Sequence, residues 1–247
     1  MPTVNATVPT EDGVCAVTLH TPAEHGSWPA VIVYPDAVGV RETFSAMADR
    51  LAGLGYAVLL PDVYYRAGEF APFDIATVFG DPAERNRLFS LMQSLTTERV
   101  VRDANAFLEF LAGRPEVSGD RVGTTGYCMG GRISLIVAGN RPDRIAAAAS
   151  FHGGFLAVAD EPDSPHLLAD RTAANVLVAG AENDDSFPPD QQERLEQALT
   201  AAGVRHSVEI YPAQHGFAVP DAPAFDAAAS ERHWTALADL YAKSLGT

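Results

Sequence analysis

The chain has 247 residues, 47% of them hydrophobic, enough to bury a sizeable core. Its 32 acidic residues against 17 basic ones give a formal charge of −15 with no basic cluster, which argues against a nucleic-acid partner and for weak repulsion of anions. Two cysteines, Cys15 and Cys128, form neither a disulfide framework nor a zinc spacing, and there is no basic and apolar leader or membrane-length apolar run, so a cytoplasmic protein with no membrane partner is expected.

Val4–Val8 and Val14–Leu19 alternate apolar and polar residues around Glu11-Asp12-Gly13, the pattern of two antiparallel strands. Ala30–Tyr34 is an apolar run suited to a strand covered on both faces, and it ends in the loop Pro35–Gly39. Phe44–Ala52 carries Phe44, Met47, Ala48 and Leu51 on one helical face before Gly53 and Gly55; Tyr56–Leu60 is the next buried strand. The segment from Val63 to Gly80 breaks the pattern with Tyr64, Tyr65, Phe70, Phe73 and Phe79, either a pocket wall or lid or rings packed locally over a core edge. Helices are expected at Pro82–Leu95 and Arg99–Leu111. After the stretch Arg121–Gly139, strands follow at Ile145–Phe151, Asn175–Ala179 and His206–Tyr211, with helices at Asp190–Ala202 and from about Phe225 to Leu245. With no linker, repeat or low-complexity run, residues 1–247 read as a single α/β domain.

The stretch RVGTTGYCMGGRISLIVAG reads as strand, glycine-pinched turn and helix, a nucleophile elbow carrying Cys128. Such a turn holds the nucleophile in a sparsely populated backbone conformation and needs small residues two places away, here Gly126 and Gly130. The Met129 amide is a natural oxyanion donor, and a thiol at a helix N-terminus is biased toward thiolate. The pentapeptide alone also suits a buried core cysteine, so the other strand ends must decide. In an open α/β sheet chemistry gathers beyond the carboxyl ends of strands, and those ends deliver Asp36, Cys128, Asp184 and His215. Nucleophile, acid, histidine is the α/β-hydrolase order, giving Cys128 as nucleophile, His215 as base and Asp184 as its orienting acid. His152, before two glycines, is a second candidate base or a pocket residue. Asp185 and Glu182 compete with Asp184.

GYCMGG, the loop around Asp184, QHGFA and PDAVGV together resemble the dienelactone hydrolase family over nearly the whole chain. The resemblance implies a single-domain α/β-hydrolase fold with a mostly parallel central sheet, helices on both faces and antiparallel N-terminal strands. It implies no metal or organic cofactor, and a small-molecule ester or lactone opened through an acyl-enzyme by a monomer or small homo-oligomer. It adds the Ala37 amide to that of Met129 in the oxyanion hole, and it assigns Asp36 to activation of the thiolate, where the family typically has glutamate. Of two arginines that hold a substrate carboxylate in dienelactone-cleaving members, Arg85 matches the first, and Val219 stands where the second would lie. With Tyr64, His152 and Phe217 also expected at the substrate, neutral esters or lactones should be preferred over carboxylated ones by roughly tenfold or more. The alternatives are a thioesterase or cysteine acyltransferase, or a non-catalytic relative with a redox-sensing cysteine.

Overall fold

Strands that are apolar on both faces need cover on both, and the chain supplies it by alternating strands with helices. The computed structural model describes residues 1–246. Its strands are β1 (Thr3–Thr10), β2 (Gly13–His20), β3 (Trp28–Tyr34), β4 (Ala57–Pro61), β5 (Val117–Tyr127), β6 (Ile145–Phe151), β7 (Asn175–Ala181) and β8 (His206–Tyr211). Its helices are α1 (Glu42–Ala52), α2 (Pro82–Ser94), α3 (Thr97–Ala112), α4 (Met129–Asn140), α5 (Pro189–Ala201) and α6 (Ala227–Ser244), with short 3₁₀ segments at Tyr65–Ala67 and Pro165–Arg171. The strands form one eight-stranded sheet in the order β1-β2-β4-β3-β5-β6-β7-β8. β2 pairs antiparallel with both β1 and β4, and every later pairing is parallel.

The period-two pattern divides the core into two layers. On β3, Ala30, Ile32 and Tyr34 face the layer that holds Phe107 and Leu111 of α3, Ile133 of α4 and Leu195 of α5. Val31 and Val33 face the other, with Phe44 and Leu51 of α1 and Trp234 and Leu237 of α6. Burying each such large side chain contributes ~1.5–3 kcal/mol, so a one-residue slip in register would reverse both layers at once.

Helix ends follow local chemistry. Asp81 accepts from the Ala83 amide at 2.8 Å and from Glu84 at 3.3 Å, with Pro82 at the first helical position, and so starts α2. The last helix starts at Ala227 rather than near Phe225 because Asp226 caps it, accepting from Ala229 at 2.8 Å.

The segment between β4 and α2 is fastened mainly by packing and charge. The Tyr65 hydroxyl donates to Asp103 at 2.8 Å and lies 2.6 Å from the Thr10 hydroxyl, while Arg66 grips Asp103 through two bonds of 2.7 Å and reaches Asp12 at 2.8 Å. Phe73 is buried beneath the Arg87 guanidinium, 3.7 Å from its ring centre. Of the five aromatic residues here, Phe79 alone lines the main cavity. Among the described residues no helix is long and apolar enough to cross a membrane.

One buried group beneath the sheet makes stability depend on pH. His233 on α6 is fully buried against Tyr127, Phe151 and Trp234. Its Nδ1–H donates to the Ser230 carbonyl, leaving Nε2 to accept from the Tyr127 hydroxyl at 3.3 Å. Burial, aided by the charge of Arg50 and opposed by the Ser230 bond, pushes its pKa down to about 3. The folded state therefore refuses a proton that the unfolded chain accepts near 6.5, so stability is full above that pH and falls as pH drops toward 3. Urea unfolding between pH 6.5 and 4.5 should show a stability slope shallower in His233→Phe than in the parent by about 1.4 kcal/mol per pH unit. Equal slopes would place the titrating groups elsewhere.

Candidate active site

Cys128 lies between β5 and α4 with φ 53° and ψ −117°. A non-glycine residue there stores ~1–3 kcal/mol of strain, held here by two bonds. The Cys128 amide donates to the Phe151 carbonyl at 3.0 Å, and its carbonyl accepts from Gly131 at 3.0 Å. The flanking glycines are obligatory: a Cβ on Gly126 would sit 1.9 Å from the Gly130 carbonyl oxygen, and one on Gly130 would sit 2.2 Å from that of Tyr34. This close approach carries the first turn of α4 onto the ends of β3 and β5. Met129 opens the helix, so its amide has no intrahelical partner, and neither it nor the Ala37 amide donates to another backbone group among the described residues.

The loop bearing Ala37 is fixed from two sides. The Tyr64 hydroxyl donates to the Ala37 carbonyl at 2.8 Å and lies 3.2 Å from the Met129 sulfur, so one side chain braces both candidate oxyanion donors from behind. On the other side Arg41 grips Asp36 through two bonds of 2.8 Å and Asp221 through bonds of 2.7 and 2.8 Å. Asp36 also accepts from the Val38 amide at 3.0 Å. Its carboxylate is thus committed to Arg41 and its own turn, and among the described residues it makes no hydrogen bond to Cys128. This departs from the expectation that Asp36 activates the thiolate. The arginine five residues on captures the short side chain, and through Asp221 it ties this loop to the one that follows His215.

The loop after β7 presents Asp184, whose Oδ1 accepts from the Ser186 amide at 2.9 Å and hydroxyl at 2.6 Å. Its Oδ2 accepts from His215 Nδ1 at 2.7 Å. Asp185 and Glu182 make no such bond, so geometry separates three acids that spacing left in competition. Burial works to raise the Asp184 pKa, but the His215 and Ser186 bonds outweigh it and hold it below the usual carboxylate range. Burial likewise works against a charged His215, yet the Cys128 sulfur and the bond to Asp184 push its pKa up to about 10.

His152 plays a different part. It lines the same cavity, edge-on to His215 with ring centres 5.1 Å apart and to Phe217 at 5.0 Å. Neither ring nitrogen has a partner among the described residues. Burial, with the charge of His215 adding to it, holds its pKa well below 6.5, so it is a neutral ring packed against the histidine that is bonded to Asp184.

Cys128, Asp184, His215, His152, Ala37, Met129 and Asp36 all line one cavity of about 790 Å³. Four residues expected at the substrate do not. Tyr64 is buried behind the Ala37 loop, and Phe217 and Val219 belong to the core layer around α1 and α6. Arg85 turns its guanidinium to the Phe79 carbonyl at 3.3 Å. Val219 therefore leaves no gap in the pocket wall: the chain beyond His215 lines the cavity with Gly216, Ala222, Pro223 and Ala224 instead. Arg132, which the sequence offers with Arg87 as a substitute cation, lines the cavity from α4, with its charge taken up by Glu161 at 2.6 Å and by the carbonyls of Phe155 and Asp163. Ser186 was not singled out in the sequence, although its place two residues after Asp184 is the spacing of an Asx turn.

This sheet order, with an elbow at the end of β5 and acid and histidine after β7 and β8, defines an α/β-hydrolase. A model of the dienelactone hydrolase family matches residues 15–245, and the chain belongs to that family, as a hydrolase of lactone or ester bonds. Carboxymethylenebutenolidase 1 of Cupriavidus pinatubonensis is 26% identical over 204 residues, covering 83% of this chain and 81% of the relative. A Methylorubrum extorquens protein provisionally named carboxymethylenebutenolidase is 28% identical over 237 residues, covering 95% and 78%. The crystal structure of a Klebsiella pneumoniae protein provisionally named dienelactone hydrolase superposes with a TM-score of 0.84 at 25% identity over 98% of both chains. A dienelactone hydrolase-like promiscuous phosphotriesterase from metagenomic libraries superposes with a TM-score of 0.76 at 27% identity over 100% of both chains.

The two thiols should differ sharply in reactivity. Cys15 is fully buried in β2, and burial with the charges of Asp62 and Asp103 pushes its pKa up to about 12, whereas Cys128 opens onto the cavity. Iodoacetamide should label Cys128 at least on the order of a hundredfold faster in native protein, as peptide mapping would show. In Asp36→Asn the pH midpoint of that labelling should stay put. A shift of about one unit or more would restore the carboxylate to the sulfur.

Proposed function

We propose that the chain hydrolyses neutral esters or lactones through an acyl-enzyme, with Cys128 as nucleophile, His215 as acid and base, and Asp184 as the group that orients His215. The observation that carries this reading is the 2.7 Å bond from His215 Nδ1 to Asp184 within the cavity that Cys128 enters from its elbow. Donating Nδ1–H to Asp184 leaves Nε2 for the sulfur, the leaving group and water in turn.

The raised pKa of His215 suits its Nε2 to take the thiol proton, so that the sulfur attacks as thiolate. Attack of the sulfur on the carbonyl carbon forms the C–S bond and places negative charge on the carbonyl oxygen, which the Ala37 and Met129 amides stabilise. Removing one such donor typically costs ~2.7–4 kcal/mol of barrier. Once the sulfur is acylated its charge is gone, and with it a main cause of the high histidine pKa. The proton then passes readily to the departing alkoxide, and the neutral ring takes one from the water that attacks the thioester.

Preference for an uncharged substrate rests on the cavity's charges. Asp36, Glu161, Asp184 and Asp185 line it, and Arg132 is already paired with Glu161. A substrate carboxylate would find no unpaired cation, and a charged hydrogen bond of ~1.5–3 kcal/mol would be forgone. A reducing cytoplasm suits the two free thiols.

Purified protein should release 4-nitrophenol from 4-nitrophenyl butyrate, with turnover falling at least about a thousandfold in Cys128→Ala and roughly a hundredfold or more in Asp184→Asn. Intact-protein mass should show an acyl adduct confined to Cys128 in His215→Ala if deacylation is the blocked step. A matched pair of lactones, with and without a carboxylate, should differ roughly tenfold or more in kcat/KM in favour of the neutral one. Turnover that survives Cys128→Ala would remove the mechanism.

A further inference from the structure

Apart from the groups that would do the chemistry and a polar set of Asp36, Gln93, Arg132, Glu161, Asp185 and Ser186, the cavity wall is apolar. Ile75 and Phe79 come from the segment before α2, Phe89 and Met92 from α2, and Ile133 and Ile136 from α4. Helix α2 fully buries Leu88 alone and rests Leu91 and Met92 partly on the core, while Phe89, Met92 and, just past the helix end, Leu95 line the cavity. Much of the apolar surface of this helix therefore serves the pocket. At the mouth, Phe79, Phe89 and Phe155 are 49%, 42% and 52% exposed, an arrangement that costs solubility with no return from the core. A volume of about 790 Å³ is in the range that encloses a drug-sized ligand, far more than the reacting ester group itself occupies.

We propose, resting on the ester-hydrolase reading above, that the substrate is a neutral ester or lactone carrying a long apolar chain, which lies along Ile75, Phe89, Met92 and Ile136 and leaves past the three phenylalanines. The site is selective by burial: each methylene entering this wall leaves water, while the polar ends are held at Cys128 and the two amides. A short or carboxylated substrate leaves the wall wet and forgoes that gain.

Two series test the proposal with the intact enzyme, 4-nitrophenyl esters from acetate to octanoate for the acyl side and alkyl acetates from ethyl to octyl for the alcohol side. In one of them kcat/KM should climb about fourfold per methylene over the first several steps, the ~0.8 kcal/mol that a buried CH₂ contributes. That series identifies which half of the substrate occupies the wall. Phe89→Ser should reduce the long-to-short ratio in that series by about tenfold, and because Phe89 is half exposed the fold should tolerate the change. Flat or falling trends in both series, with acetate still turned over through Cys128, would overturn the apolar-chain proposal and leave the hydrolase reading intact. Absence of Cys128-dependent turnover across both series would overturn the hydrolase reading itself. Nile red, a neutral apolar dye, keeps the pocket's preference measurable apart from chemistry: it should bind Cys128→Ala protein with micromolar affinity and more weakly once Phe89→Ser is added. No saturable binding would overturn the apolar pocket directly.

Discussion

The contact on which this structure turns is that of the α4 backbone with the ends of two strands. Gly126 and Gly130 allow a distance that any side chain would forbid, with a Cβ at Gly130 falling 2.2 Å from the Tyr34 carbonyl oxygen. Closeness there forces Cys128 into its positive-φ conformation, projects its sulfur into the cavity and leaves the Met129 amide unpaired beside it. It also fixes where the Pro35–Gly39 loop must lie, because that loop leaves the strand α4 presses on. The proposed nucleophile and both candidate oxyanion donors thus share one steric cause.

Charge then joins what sterics has placed. Arg41 holds Asp36 on the Ala37 side of the cavity and Asp221 on the His215 side, each through two bonds, so two loops far apart in sequence share one guanidinium. Arginine suits the task because its planar fork meets two carboxylates at once, which a lysine could not do. The pair of acids and the arginine form a partly buried network, and loss of the arginine would leave two carboxylates facing each other with no counter-charge.

What could be read from the sequence was whatever periodicity and local chemistry decide. Strands such as Ile145–Phe151 and the elbow at Cys128 carry their signals within a few residues, and the structure has them where the pattern puts them. Placing Asp184 opposite His215 required only the ends of β7 and β8 to be neighbours, which strand alternation implies. Long-range choices were hidden. Nothing local says that Arg41 outcompetes a thiol for Asp36, since the outcome depends on Asp221, far along the chain. Nor does the sequence distinguish a core valine from a pocket valine, and Val219 proved to be the former. The same limit applies to Tyr64, which resembles a pocket aromatic in sequence yet serves as a brace behind the Ala37 loop.

The strand order has a consequence for how the molecule fails. Cys128 follows β5, which has a neighbour on each side, but His215 follows β8, the last strand of the sheet, bonded to β7 alone. Only Tyr211 of β8 is buried, so this margin opens at lower free energy than the middle. Under the mechanism proposed above, loosening of that margin would part His215 from its place while the elbow and its strained cysteine persist, so activity would be lost at the rim of the sheet before the fold melts at its centre.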